Sequence, residues 1–251
     1  MKVPKYTIFI CLTFIILSHA NACGQGDTGT ISDPGRFTRL HPDSMNLDLL
    51  ENLIVHYTNQ ERQKAGLAPL AADQTRLRKA ARAHSREMAA LNFFSHESPV
   101  PAHRTLCDRL RLAGMVLEGS AFGENLCMDY LLNVSGITFY VLRRDGRKYY
   151  INSRTRRPVQ YRTHDQFARR AVQLLMQSPR HRDNLLKAEY THIGVGAALG
   201  ENEGFLSLYV TQNFYGPFGK KEVDHTSGRR NAASKTRIKP SNPFDFQDDF
   251  E

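Results

Sequence analysis

The chain has 251 residues, 41% of them hydrophobic and 24% charged, with a formal charge of +9 and no tryptophan. That composition suits one globular core with tails and excludes a chain disordered throughout or a multispan membrane protein. The basic excess is local. Residues 136–162 hold eight Arg and Lys against Asp145 alone, and the rest of the chain beyond residue 22 is nearly balanced.

Lys2 and Lys5 precede an apolar run from Ile8 to Leu17, followed by Ala20-Asn21-Ala22. A charged start, a short apolar stretch and A-x-A describe a secretory signal over 1–22. The run is too short to span a bilayer, which takes about 20 residues. The product is therefore expected to be exported: extracellular, periplasmic or lipid-anchored to the envelope. Cys23 stands where a bacterial lipoprotein carries its acyl group, although Ala20 and Asn21 match that signal poorly. Lipidation at Cys23 and free secretion both stay open. Lipidation would leave Cys107 and Cys127 as an even pair. A bond between them would close a loop of about 21 residues, worth roughly 3 kcal/mol in the loop-entropy account. Two unpaired buried thiols are the alternative.

Residues 23–45 are rich in Gly, Asp and Thr and read as a linker. From Asn46, Leu47, Leu50, Ile54 and Tyr57 follow a helical period that Gly66 ends. A second helix is expected from about Asp73 to Leu91, with Leu77, Ala80, Ala81, His84 and Met88 on one face. His84 there reads as a core histidine rather than a ligand. A third helix covers His103 to Ala113. Ile137–Val141 and Lys148–Ile151 flank Asp145-Gly146 and predict a hairpin. A fourth helix starts at Thr163, which forms a capping box with Gln166. Ser178-Pro179 restarts the chain as a short helix, with His181 in its first turn. Residues 191–199 and 205–215 read as paired strands, and 217–251 as a disordered tail. Helices followed by strands favour an α+β fold.

Three polar motifs fall at joins between these elements: Phe94-Ser95-His96, Gly123-Glu124-Asn125 and Ser178-Pro179-Arg180-His181. Together with Asn59-x-x-Arg62-x-x-x-Gly66-Leu67, His84-Ser85-x-x-Met88, Tyr190-Thr191-x-Ile193-Gly194-Val195-Gly196 and Tyr209-x-Thr211-Gln212-x-Phe214, they come in one order over 46–216. That ordered set resembles the CAP superfamily (cysteine-rich secretory proteins, antigen 5, pathogenesis-related 1), in its bacterial extracellular branch. The resemblance implies a three-layer α-β-α sandwich with a small antiparallel sheet, to which 136–162 adds a basic β-hairpin. It implies one central cleft lined by His96, Glu124 and His181. A second glutamate of many members corresponds to Ser178 here.

Two neutral imidazoles, His96 and His181, are candidate ligands for Zn²⁺ or a similar divalent cation. Glu124 is a third candidate, as a ligand or as a general base in a metal-dependent hydrolase such as a peptidase. The plainer alternative is that His96 and Glu124 hydrogen-bond and lock adjoining loops, while Asn125 satisfies backbone groups. The expected function is a binding or interaction module whose cleft holds a divalent ion or small ligand, with the hydrolase as the alternative. Expected partners are a small ligand, a lipid or a protein, but not nucleic acid. The basic hairpin is suited to anionic envelope material, although a plain solvated hairpin explains it too.

Overall fold

In a computed structural model, the protein is described from residue 32 to residue 218. The signal peptide, Cys23, the first part of the expected linker and the tail beyond Phe218 lie outside the described residues.

The sheet has four strands: β1 (Ala71–Ala72), β2 (Ser120–Tyr130), β5 (His192–Asn202) and β6 (Phe205–Pro217), in the order β1-β5-β6-β2. β6 pairs antiparallel with both β5 and β2, and the short β1 runs parallel to β5. On one side pack α1 (Leu47–Lys64), α4 (His164–Gln177) and α5 (Pro179–Leu185); on the other, α2 (Arg76–Leu91) and α3 (Leu106–Leu112). The expected α+β class and α-β-α sandwich are what the chain adopts.

Strand alternation divides the core between these layers. Ile193, Val195, Ala197, Leu208, Val210, Phe214 and Cys127 join Leu50, Ile54, Phe167 and Val172 on the α1/α4 side. Leu126 and Tyr209 meet Met88 of α2 on the other side, and Leu77 and Ala80 of α2 meet Leu110 of α3. At about 25 cal/mol per Å² of apolar surface, these two faces supply the main driving force for folding.

The helix ends follow local chemistry. Thr163 and Gln166 form the expected capping box on α4, and Thr105 with Asp108 forms another on α3. Asp73, rather than the N-cap Thr75, covers the start of α2, accepting from the amides of Thr75 (2.8 Å), Arg76 (3.0 Å) and Leu77 (3.3 Å). The far edge of β5 is covered by a side chain: Glu51, fully buried, accepts from the Ala197 amide at 3.0 Å and is ion-paired with Arg78 and Arg82.

Three expectations need correction. The linker reading of 23–45 fails from Asp33 onward. Pro34–Phe37 is a 3₁₀ turn, Leu40 is in the core, and Arg36 is buried against Asp165 and Tyr57. Gly123-Glu124-Asn125 is not at a join but in the middle of β2. Cys107 and Cys127 are both free thiols. They cannot pair because Cys107 is on α3, on one side of the sheet, and Cys127 points into the α1/α4 core on the other.

The inserted hairpin is present as β3 (Phe139–Arg144), which lies closer to the turn than the expected 137–141, and β4 (Arg147–Asn152), one residue longer at each end than expected. Asp145 and Gly146 both take positive φ, as a tight two-residue turn requires.

Candidate functional site

β2 is an edge strand, and both helical layers reach around that edge. Even-numbered residues of β2 face α2 and α3, whereas Asn125 and Cys127 face the α1/α4/α5 layer. Glu124 therefore meets the loop after α2, and Asn125 meets α5. His96 and His181, from opposite layers, both lie beside the edge, near enough for the charge of one to act on the other.

Glu124 is 7% exposed and fully engaged. Arg109 of α3 donates through Nη2 to Oε1 at 2.9 Å and to Oε2 at 2.8 Å. His96 Nδ1 lies 3.0 Å from Oε1. The Asn213 amide, in the orientation that satisfies both its atoms, donates to Oε2 at 3.2 Å and accepts from the Ala81 amide at 3.2 Å. Burial alone would raise the Glu124 carboxyl. The His96 hydrogen bond and the Arg109 charge prevail and hold it below the usual carboxylate range. An ionised carboxylate only accepts, so Nδ1 of His96 is the donor in this bond, and in the neutral ring Nε2 is the nitrogen with a lone pair.

Arg109 also fixes the loop that carries His96. It donates to the carbonyls of His96 (3.1 Å), His103 (3.0 Å) and Arg104 (3.1 Å). The sequence reading missed this residue. Its signal was there: Leu106, Arg109, Leu110 and Ala113 share a helical face, and a cation on an apolar stripe needs a buried anion.

On the other layer, Asn184 of α5 donates to the Glu124 carbonyl at 3.1 Å and to Asn125 Oδ1 at 3.0 Å. Asn125 returns a bond to the His181 carbonyl at 3.0 Å. These bonds cover part of the exposed edge of β2 and pin the first turn of α5. Gly123 is required where it is, because a Cβ there would stand 2.3 Å from the Tyr190 hydroxyl. His181 is half-buried, and burial followed by the nearby His96 charge lowers its pKa. Ser178 caps α5 without a side-chain cap bond.

The structure thus brings together His96, Glu124, Asn125 and His181, and adds Arg109, Asn184 and Asn213. It does not arrange them as the three-ligand centre. Among the described residues no group of three or more His, Cys, Asp or Glu is placed to hold a metal ion. With both oxygens on Arg109, Glu124 fits neither a ligand nor a base. The donor set that remains for a divalent cation is His96 and His181, with Glu124 behind His96 as the carboxylate that orients its ring.

His84, fully buried on α2, donates through Nε2 to the Ser95 carbonyl at 3.0 Å, which holds the Phe-Ser-His segment onto the helix. Its Nδ1 has no hydrogen-bond partner, and burial lowers its pKa. His84 and His181 are therefore neutral in the fold and take up protons more readily when unfolded. Their contribution to stability is present above the unfolded value of about 6.5 and falls as pH drops below it. Denaturant melts should give a flat stability above about pH 7 and a decline below about 6.5. The decline should be shallower in His84→Phe, and an unchanged slope in that variant would remove His84 from the account.

The sequence model of the cysteine-rich secretory protein family, CAP, matches residues 55–214. Uncharacterized protein YkwD of Bacillus subtilis (strain 168) is 32% identical over 146 residues, which is 58% of this chain and 41% of that protein. The chain thus spans about two fifths of the length of that curated relative. Among solved structures, an extracellular protein containing an SCP domain from Bacillus anthracis str. Ames is 27% identical, with a TM-score of 0.46, over 70% of this chain and 44% of that one. An outer surface protein from Borrelia burgdorferi is 14% identical, with a TM-score of 0.43, over 69% of this chain and 96% of that one. No helix of the described residues is long and apolar enough to cross a membrane.

Proposed function

The chain belongs to the cysteine-rich secretory protein (CAP) family, and from that premise we propose that it is an exported binding module whose cleft, at the β2 edge between His96 and His181, holds a ligand without turning it over. The observation that carries this reading is the state of Glu124. A general base needs a free lone pair and a pKa near the working pH. Glu124 has Arg109 on both oxygens, His96 on one, and a depressed pKa. That argues against the metal-dependent hydrolase, in which Glu124 would act on water. Export is supported by the charged start, apolar run and A-x-A of residues 1–22. Lipid anchoring at Cys23 is decided by acyl labelling, which Cys23→Ser should abolish.

The ligand chemistry that the cleft favours is a divalent cation, or a small molecule that donates to an imidazole. His96 and His181 would hold a cation such as Zn²⁺, which when bound would supply a Lewis-acidic centre. Titration calorimetry with Zn²⁺ is expected to show binding that His96→Ala and His181→Ala each remove. Glu124→Gln should weaken it about 10–100-fold, the usual effect of losing a partner that orients a ligand. A peptide library should go uncleaved by the native protein. Cleavage that disappears in Glu124→Gln would replace this reading with the hydrolase.

A further inference from the structure

The inserted hairpin is docked by one face near its base, and its opposite face is bare toward the turn, although Ile151, paired with Tyr140, is buried at the base of that second face. Directly paired residues of antiparallel strands share a face. Phe139, Val141 and Tyr150 lie on the inner one, where Phe139 and Tyr150 close on Phe205 at 6.0 and 5.5 Å between ring centres. Tyr130 meets Phe205 from the body of the domain at 5.4 Å, and Lys148 donates to the Gly204 carbonyl at 3.2 Å. The outer face pairs Leu142 with Tyr149 and sets Tyr140 beside them. These three side chains are 47%, 40% and 40% exposed. Arg156 lies over the Tyr140 ring at 5.8 Å, and Arg144, Arg154 and Arg157 are exposed on the same insertion.

We propose that this outer face docks on an anionic phospholipid bilayer. Tyr140, Leu142 and Tyr149 enter the headgroup region, and the surrounding arginines engage lipid phosphates. The proposal is independent of the cleft. The partner is chosen by the combination of features. A soluble polyanion rewards cations alone and leaves Leu142 and two tyrosines unused. A protein interface also has an apolar core inside a polar rim, so it is the single sign of the charge around this patch, with Asp145 the one acid in 136–162, that favours anionic lipid. A bilayer interface rewards both: tyrosine concentrates at headgroup depth, apolar side chains partition beneath it, and nearby cations are drawn to anionic lipid. The exposed Arg144, Arg154, Arg156 and Arg157 supply that attraction.

The test uses the protein as recovered from cells, carrying Cys23→Ser so that no acyl chain contributes. It is sedimented with vesicles of phosphatidylcholine alone or mixed with phosphatidylglycerol. Binding is expected only to the mixed vesicles and should weaken with salt. Each cation near the surface is worth about fivefold, so Arg144→Ala with Arg154→Ala should weaken binding about 25-fold. Because the chain has no tryptophan, Leu142→Trp provides a single reporter, whose emission should shift to the blue on mixed vesicles only. A thermal melt of each variant should match the parent, since these positions are exposed. The proposal is overturned by equal binding to both vesicles or by unchanged affinity in the double variant. It is also overturned by an indole that stays wet while soluble polyphosphate binds as tightly as lipid. A shift that needs no lipid and follows dimer formation would assign the face to a second copy of the chain instead.

Discussion

Arg109→Met is expected to cost about 3–5 kcal/mol, because it leaves the Glu124 carboxylate buried without its cation. At about 2–4 °C per kcal/mol for a domain of this size, Tm should fall by roughly 10 °C. The pair is buried on both sides, at 2% and 4% side-chain exposure, so solvent does not screen the loss. The His96 ring, 3.0 Å away, and the Asn213 amide are the partners that remain, and neither replaces the lost cation. Adding Glu124→Gln to Arg109→Met removes the stranded charge and should recover most of the stability. A cost under about 1 kcal/mol would mean that water reaches the pair and that it behaves as a surface bridge. The same substitution loosens the loop carrying His96, so ligand binding should weaken even at temperatures where the fold survives.

Gly196→Ala should be as damaging, for a steric reason. A Cβ at Gly196 would stand 2.2 Å from the Arg82 amide nitrogen and 2.3 Å from the Ala81 carbonyl carbon. One at Gly194 would meet the Arg78 nitrogen and the Leu77 carbonyl carbon, both at 2.3 Å. These are backbone atoms, so no rotamer change relieves the clash and α2 would have to lift off β5. The expected cost is about 3 kcal/mol or more, at the upper end of overpacking. Gly66→Ala is the contrast: nothing lies near its Cβ, and only the left-handed backbone costs it, about 1–2 kcal/mol. Urea melts of the three variants give the comparison. Similar losses in Gly66→Ala and Gly196→Ala would contradict the close approach. The two glycines let α2 lie directly on the sheet, and α2 delivers the loop that carries His96 to the β2 edge.

Elements with local signals were legible. Thr163 and Gln166 marked the start of α4, Asp145-Gly146 marked the hairpin, and the apolar alternation of 191–199 and 205–215 marked β5 and β6. β2 was not legible, because it is buried on both faces and carries Glu124 and Asn125 where alternation would place apolar residues. Their partners come from Arg109, 15 positions away, and Asn184, 59 positions away, so no short window shows that they are satisfied. The segment from Asp33 failed for the same reason. Arg36 becomes a core residue only through Asp165, 129 positions later. The site residues His96, Glu124 and His181 were named by type and family order. What the sequence did not convey is which atoms remain free once Arg109 has taken the carboxylate, and this moves the reading from hydrolysis to binding.

The two thiols on opposite sides of the sheet turn folding in an oxidising compartment into a race. Burial pushes the Cys127 thiol up to about 12, so in the folded chain it is neither ionised nor accessible. Before the layers close, nothing separates it from Cys107, and the loop between them is short enough to shut quickly. A bond made at that stage would tie together two elements that the finished molecule needs on different faces. Oxidation therefore records a chain that closed too late. It is the packing of α1 and α4 over β2 that buries Cys127, and a slow-folding variant made in an oxidising compartment is expected to accumulate a cross-linked species rather than a merely unfolded one.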